Sequence, residues 1–387
     1  MAYESPEFYT YTPIVVTMVG IGSSGHTDGE LAQFTMPMSI FSGENGVLYV
    51  LDTYNNLVRQ VDSHNEVSRF AGDIVMLDDT QPLLDSFRFA QGFFRNGVLS
   101  SNATNIRDDV ALFNRPTDGV MDSEGRIFIV DRSNHAIRMI HDGHVSIHAG
   151  GNGAGYEGGM EAMFFYPTAI AMGNNGNIYV ADTGNNAIRR INASGYVTTV
   201  AGSPNQAGYN NGDIRNALFN QPMGIAVADD GTIFVADSGN HLIRVIESRQ
   251  VRTLAGTYVL PQGEGLNEWE QQPIGGFANS YVNHNNYFSG AMFNMPMGLA
   301  LLDDMLIVAD SVNHVIRVIQ LSSGEVATIG TGRIPNYANG FIQEAMFHLP
   351  QGVYVFGNNL IIADTGNNNI RKITLIESTF IANEGVQ

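Results

Sequence analysis

The sequence has no cysteine, a single lysine (Lys372) and a single tryptophan (Trp269). Without cysteine, disulfides, thiolate metal sites and a cysteine nucleophile are all excluded. Positive charge is scarce, with 19 Lys and Arg against 38 Asp and Glu and a formal net charge of −19. Phosphate backbones are held by clustered cations, so nucleic-acid partners are not expected. No apolar run approaches the length of a membrane span, and membrane insertion is not expected either. The opening stretch MAYESPEFYTYTP has neither a basic start nor an apolar core, so no signal peptide is visible. A cysteine-free composition fits an exported protein that avoids mispairing, and the chain leans towards an extracellular or cell-surface location.

What is present is a large apolar inventory and many turns. Hydrophobic residues make up 44% of the 387 positions and aromatics 10%, ample for a sizeable core and against disorder. The 43 glycines point to turns rather than helices. Length alone would suggest two or three domains, but one phrase recurs and removes that reading. VADTGNNAIRRI (180–191) returns as VADSGNHLIRVI (235–246), VADSVNHVIRVI (308–319) and IADTGNNNIRKI (362–373), with looser copies IVDRSNHAIRMI (129–140) and VLDTYNNLVRQV (50–61).

The repeating unit is longer than this phrase. A Phe and, three residues later, a Pro precede each copy, at Phe34/Pro37, Phe113/Pro116, Phe164/Pro167, Phe219/Pro222, Phe293/Pro296 and Phe347/Pro350. A β-rich segment follows, as in VSRFAG (67–72), VSIHAG (145–150), VTTVAG (197–202) and VRTLAG (251–256), shortened to VATIG (326–330). Six units of four short antiparallel strands predict an all-β fold, a six-bladed β-propeller forming one domain over 1–387. The repeat cores fall at about 14–72, 113–150, 164–202, 219–256, 293–330 and 347–383, and long loops at 73–112 and 257–292.

Within the phrase, an Asp ends one strand and an Arg stands seven residues later: Asp52/Arg59, Asp131/Arg138, Asp182/Arg189, Asp237/Arg244, Asp310/Arg317 and Asp364/Arg371. In a hairpin with TGNN as its loop, Asp182 faces Ala187 and Val180 faces Arg189. The acid and base are then diagonal neighbours on one face, within reach of each other. The Asp can also accept backbone N–H bonds in the turn, where Asn and Gly tolerate positive φ. A charge pair repeated six times is scaffolding, not six active sites.

The phrase resembles the NHL repeat, with Asn-His in place at Asn134-His135, Asn240-His241 and Asn313-His314. The resemblance runs over residues 13–383 and is most similar to bacterial, often exported, NHL-repeat proteins. It implies a six-bladed propeller whose members bind proteins, peptides or RNA, with a minority acting as metal-dependent lyases. Such a ring closes by sharing strands between the chain's two ends. Both VVTMVG (15–20) and TFIANE (379–384) match the fourth strand, so one is surplus; a spare strand would offer self-assembly.

Function is sought in what does not repeat. The connection from the fourth strand to the next Phe is 14 residues for Gly20–Phe34 but 41 for Gly72–Phe113 and 37 for Gly256–Phe293. These long loops enter the second and fifth units, opposite each other in the ring, and should arch over one face. They carry Phe87, Phe89, Phe93, Phe94 and Arg95, and Trp269, Tyr281, Tyr287 and Phe288. Aromatics with Arg suit recognition surfaces, although they also serve to pin loops to the disc. Residues flanking the repeat Pro should line the channel mouth: Met36, Met38, Arg115, Tyr166, Gln221, Met223, Met295, Met297 and His348. A flexible thioether rim suits an adaptable apolar contact, and blade-junction packing is the competing explanation.

Support for an enzyme is thin. His135, His241 and His314 are spread around the ring, too far apart to share a metal, and no G-x-S-x-G is seen. MDSEG (121–125) and ADDGT (228–232) resemble weak Ca²⁺ loops but read more simply as hairpin turns. The sequence therefore points to a non-enzymatic binding or assembly module without cofactor or metal, engaging a protein, peptide or glycan through its loop-bearing face. The alternatives are a lyase or hydrolase at the central mouth, or a structural subunit of an extracellular or particle-like assembly.

Overall fold

The computed structural model describes residues 13–73, 96–98, 110–204, 206–260, 272–278, 281–282 and 288–375. Each repeat builds one blade of four antiparallel strands, the fourth strand of the sixth blade coming from the N-terminal segment. In the third blade these are Ala169–Met172, Ile178–Asp182, Ala187–Ile191 and Val197–Gly202, paired in chain order. The second strand, IYVAD, is buried throughout because its two faces meet different blades. Burial on both faces is why such strands read as unbroken apolar runs rather than alternating ones.

The first strand of every blade lies innermost: Ser39–Ser42, Pro116–Met121, Ala169–Met172, Pro222–Val227, Pro296–Leu302 and Gly352–Phe356. Each touches the first strands of the blades before and after it, and the sixth touches the first, which closes the ring. The core is accordingly six clusters, one at each blade junction. The repeat Phe residues Phe34, Phe113, Phe164, Phe219, Phe293 and Phe347 are each at most 1% exposed and anchor one cluster apiece. Full burial of such a side chain contributes about 1.5–3 kcal/mol.

Along half of the ring the central strands meet backbone to backbone. The Gly298 N–H donates to the Gln351 carbonyl at 2.8 Å. A methyl group on Gly224 would overlap the Met297 carbonyl oxygen. These glycines are required by close approach, not by unusual backbone angles. Elsewhere Asp118 does the stitching: its Oδ1 accepts Ser39 Oγ (2.7 Å) from the first blade, and its Oδ2 accepts the Ile170 N–H (2.9 Å) of the third.

The N-terminal strand completes the sixth blade. Ile14–Val19 lies antiparallel to Asn369–Thr374, with Val15 opposite Ile373 and Thr17 opposite Arg371. Of the two fourth-strand candidates, VVTMVG therefore closes the ring. The other, TFIANE, lies outside the described residues. A short strand, Gly340–Phe341, pairs with the outer edge of the closing strand.

Candidate functional site

The Asp–Arg hairpins place Asp182 opposite Ala187 and Val180 opposite Arg189. Asp182 Oδ2 accepts Arg189 Nη1 (2.9 Å) and Asn185 Nδ2 (2.8 Å), and its Oδ1 accepts the Phe165 N–H (2.8 Å). That N–H belongs to the residue after the repeat Phe, not to the Asp's own turn. In return, the Gly184 N–H donates to the Phe165 carbonyl at 2.7 Å. The same arrangement binds every repeat Asp, and all six acid–base pairs are buried. Burial outweighs the paired guanidinium and raises the carboxyls of Asp52, Asp182, Asp237 and Asp310 to about 6. These pairs brace the blades and leave no oxygen for a ligand.

Arg138 has acceptors beyond its own hairpin. Its Nη1 donates to Asp131 Oδ2 at 2.8 Å, as the repeat requires, and to the Leu112 carbonyl at 3.1 Å. Its Nη2 reaches out of the blade core to Asn96 Oδ1 at 3.0 Å, so Arg138 also ties the first long connection to the second blade. A guanidinium has five N–H donors, more than one shared carboxylate can accept, so Nη2 is left to take an acceptor outside the hairpin. The hairpin spacing sets only the Asp131 contact.

Each turn is one 3₁₀ turn, such as Thr183–Asn185, closed by an Asn or His in the left-handed region. Asn and His are among the non-glycine residues best suited to that conformation. Their side chains reach the next blade. Asn56 and Asn186 accept the N–H groups of Arg115 and Gln221 through Oδ1, at 2.7 and 2.8 Å. His135, His241 and His314 accept those of Tyr166, Met295 and Leu349 through Nδ1, at 3.1, 2.9 and 3.0 Å. A histidine that accepts at Nδ1 must be neutral with its proton on Nε2. Burial, chiefly, lowers the pKa of all three, helped at His135 by the Arg132 charge and at His314 by His348; at His241 the Pro273 carbonyl opposes it.

A folded-state pKa below the ordinary histidine value of about 6.5 gives stability that is complete above that pH and lost as pH falls through the folded value. Replacing the three histidines by asparagine, the residue of the other blades, isolates this term because every carboxylate is common to both proteins. The stability of the native chain relative to the triple variant should be flat above about pH 6.5 and fall below it. Urea unfolding of both proteins over the range of about pH 4.5 to 8 checks it, and parallel curves would refute it.

The central channel, about 370 Å³, is lined by the six innermost strands. Where the 3₁₀ turns and the starts of these strands meet, its mouth widens into a cavity of about 250 Å³. The connections between blades begin on the same face. Gly72, at the head of the first long loop, packs against the Asn56 carbonyl, and Gly256, at the head of the second, against that of His241. Met36, Met38, Arg115, Met223, Met295 and Met297 line the mouth, joined by Tyr54, Arg132 and Gln351. All of its methionines are half-buried, neither locked in a junction nor fully in solvent. Tyr166 stands at the rim, 39% exposed, beneath Arg132. Gln221 is exposed, and the half-buried His348 packs edge-on against His314 at 5.7 Å; the cavity lining includes neither.

Among the loop candidates, Tyr281–Val282 pairs with Phe288–Ser289 as a two-residue ladder. Phe87, Phe89, Phe93, Phe94, Arg95, Trp269 and Tyr287 lie outside the described residues. MDSEG forms a hairpin turn, in which Asp122 Oδ1 accepts the N–H groups of Glu124 and Arg126 at 3.0 and 2.9 Å.

Of the residues that escaped the sequence reading, two lie in the second blade. Asp118 lines the channel, and burial raises its carboxyl to about 6 against the three hydrogen bonds it accepts. Arg132 occupies the position after the repeat Asp, where the other blades have Thr53, Thr183, Ser238, Ser311 and Thr365. Those five hydroxyls each donate to the Pro carbonyl of the following blade, as Thr183 Oγ1 does to Pro222 at 2.6 Å. Aligning the six repeats column by column would have exposed both exceptions.

Known proteins share this organisation. The family model of the teneurin NHL domain matches residues 22–248. The Protein SUPPRESSOR OF QUENCHING 1, chloroplastic, of Arabidopsis thaliana is 29% identical over 343 residues, covering 81% of this chain and 28% of that protein. The NHL repeat-containing protein 2 of Homo sapiens is 30% identical over 215 residues, covering 51% of this chain and 28% of its own length. The chain thus spans under a third of these relatives. A crystal structure described as an auxiliary nutrient binding protein from Bacteroides ovatus superposes with a TM-score of 0.63 at 16% identity, covering 94% of this chain and 77% of that one. That likeness speaks to the fold alone. With the family model spanning more than half of its length, the chain belongs to the NHL-repeat propellers, in the family of the teneurin NHL domain.

Proposed function

We propose that this propeller is a non-enzymatic binding module whose loop-bearing face, centred on the channel mouth, engages a protein, peptide or glycan partner. One observation carries the reading. Residues that break the repeat converge at the mouth, on the face where both long connections start, while repeated polar groups are spent on bracing blades. A half-buried rim of methionines offers a conformable apolar contact, and two arginines add a polar anchor. The ring behind it is rigid, so little ordering cost falls on the scaffold when a partner docks.

The test is affinity capture from the native source with the intact chain and with a variant whose segments 75–110 and 259–290 are shortened to the 14-residue connection of the first repeat. A partner retained by the intact chain alone, with melting temperature little changed, is the expected result. The same partner retained by both proteins would remove the loop-bearing face from consideration.

A further inference from the structure

Besides Asp118, the second blade departs from its siblings at the mouth, and there the departure is cationic. Arg115 precedes the repeat Pro and Arg132 follows the repeat Asp, and both residues line the mouth cavity. Arg115 lies over the Tyr54 ring at 5.0 Å and Arg132 over the Tyr166 ring at 5.1 Å. Neither side chain has a carboxylate or a hydrogen-bond acceptor among the described residues, and no described residue lining the cavity is acidic. The repeat arginines differ: Arg59, Arg138, Arg189, Arg244, Arg317 and Arg371 are each paired with their own repeat Asp.

Two like charges in one cavity repel. Burial and then the Arg115 charge hold the Arg132 pKa below its ordinary value. The fold also forgoes a blade-to-blade hydrogen bond here, because Arg132 stands where five other junctions carry a hydroxyl donor. In a chain of net charge −19, acids to neutralise these groups are abundant, yet none is placed beside them among the described residues. Such an arrangement stabilises an incoming anion: a carboxylate between two guanidiniums takes paired, directed N–H bonds and relieves their repulsion.

We infer that the mouth binds an acidic peptide segment, seating one Asp or Glu carboxylate between Arg115 and Arg132 and an adjacent apolar side chain on Met36, Met223, Met295 and Met297. This rests on the binding-module reading above and narrows its partner. A neutral glycan would leave both charges unmet. The roughly 250 Å³ of room suits one or two side chains rather than a folded surface.

The decisive variants are supplied by the other blades. Arg132→Thr restores the hydroxyl of Thr53 and Thr183, so it removes the cation while offering the Pro167 carbonyl the donor that the other five junctions supply. Arg115→Gln installs the residue of the fourth blade, Gln221. A displayed library of random linear peptides is selected against the intact protein, and the enriched peptides are synthesised with their acid intact and as the amide. The expected result is a consensus of an acid beside an apolar residue, weakened roughly tenfold or more by either variant or by the amide. The amide should cost little further in Arg132→Thr, which a merely structural role for Arg132 would not produce. Melting temperatures of the variants at or above that of the native chain exclude misfolding. Enriched peptides that bind both variants unchanged would overturn the anion site and leave the binding module standing. Enrichment of no peptide would overturn the peptide assignment, and the capture experiment would then decide the wider reading independently.

Discussion

Arg244→Met is expected to lower the free energy of unfolding by about 3–5 kcal/mol, the usual cost of removing one partner from a buried ion pair. Arg244 and Asp237 are both 0% exposed. Arg244 Nη1 donates to Asp237 Oδ2 at 2.6 Å and to the Leu218 carbonyl at 3.1 Å. Its Nη2 reaches the Asn210 carbonyl and Asn211 Oδ1 at 2.9 and 2.7 Å. The guanidinium also lies near the rings of Phe219 (5.2 Å) and Tyr209 (4.9 Å). Methionine keeps most of the volume, so the loss reports the abandoned charge of Asp237 and its orphaned acceptors rather than a cavity. Pairing it with Asp237→Leu should recover part of the loss, because no lone charge then remains. Urea unfolding of the two single variants and the double variant measures this. A loss under about 1 kcal/mol for Arg244→Met would reduce the pair to the worth of a surface salt bridge.

Removing residues 1–20 is expected to cost stability of the order of a whole domain's, about 5–15 kcal/mol. The deletion strips the outer strand from the sixth blade, exposing the edge of Asn369–Thr374 and the clusters that Val15 and Val19 cover. Val15 is 0% and Val19 6% exposed, so neither is a passive edge residue. The junction between the first and last blades also loses Val19 from its cluster, and an unpaired strand edge invites aggregation. Calorimetry should show no cooperative transition for the truncated chain and its return on adding a synthetic peptide of residues 13–21. A truncated chain that melts like the native one would mean that another strand can close the ring, with TFIANE (379–384) the segment to delete next.

The repeat was legible because its signals are local. Second-strand runs such as IYVAD and IFVAD, the Phe and Pro ahead of them and the Asp–Arg spacing all recur within a single unit of the chain. Hairpin geometry converts that spacing into Asp182 facing Ala187 with no further information. Six copies then require six blades, and the Met-rich flank of the repeat Pro points to a channel mouth.

The rest depends on which blades touch. The sequence offers two equivalent strands for closing the ring, and the choice of Ile14–Val19 rests on pairing with Asn369–Thr374 at the far end of the chain. The naming Asn or His of the repeat reads as a turn former, yet its acceptor serves the next blade, 31 residues on for His135 and 59 for Asn56. Hairpin geometry gives Arg138 its Asp131 contact, and only the folded chain brings Asn96 to its Nη2. Gly224 and Gly298 read as ordinary turn-prone residues until the neighbouring carbonyl is seen against them. Arg132 reads as one more surface cation until the ring carries it to Arg115, since charges from separate turns share a cavity only when the blades close around a common axis.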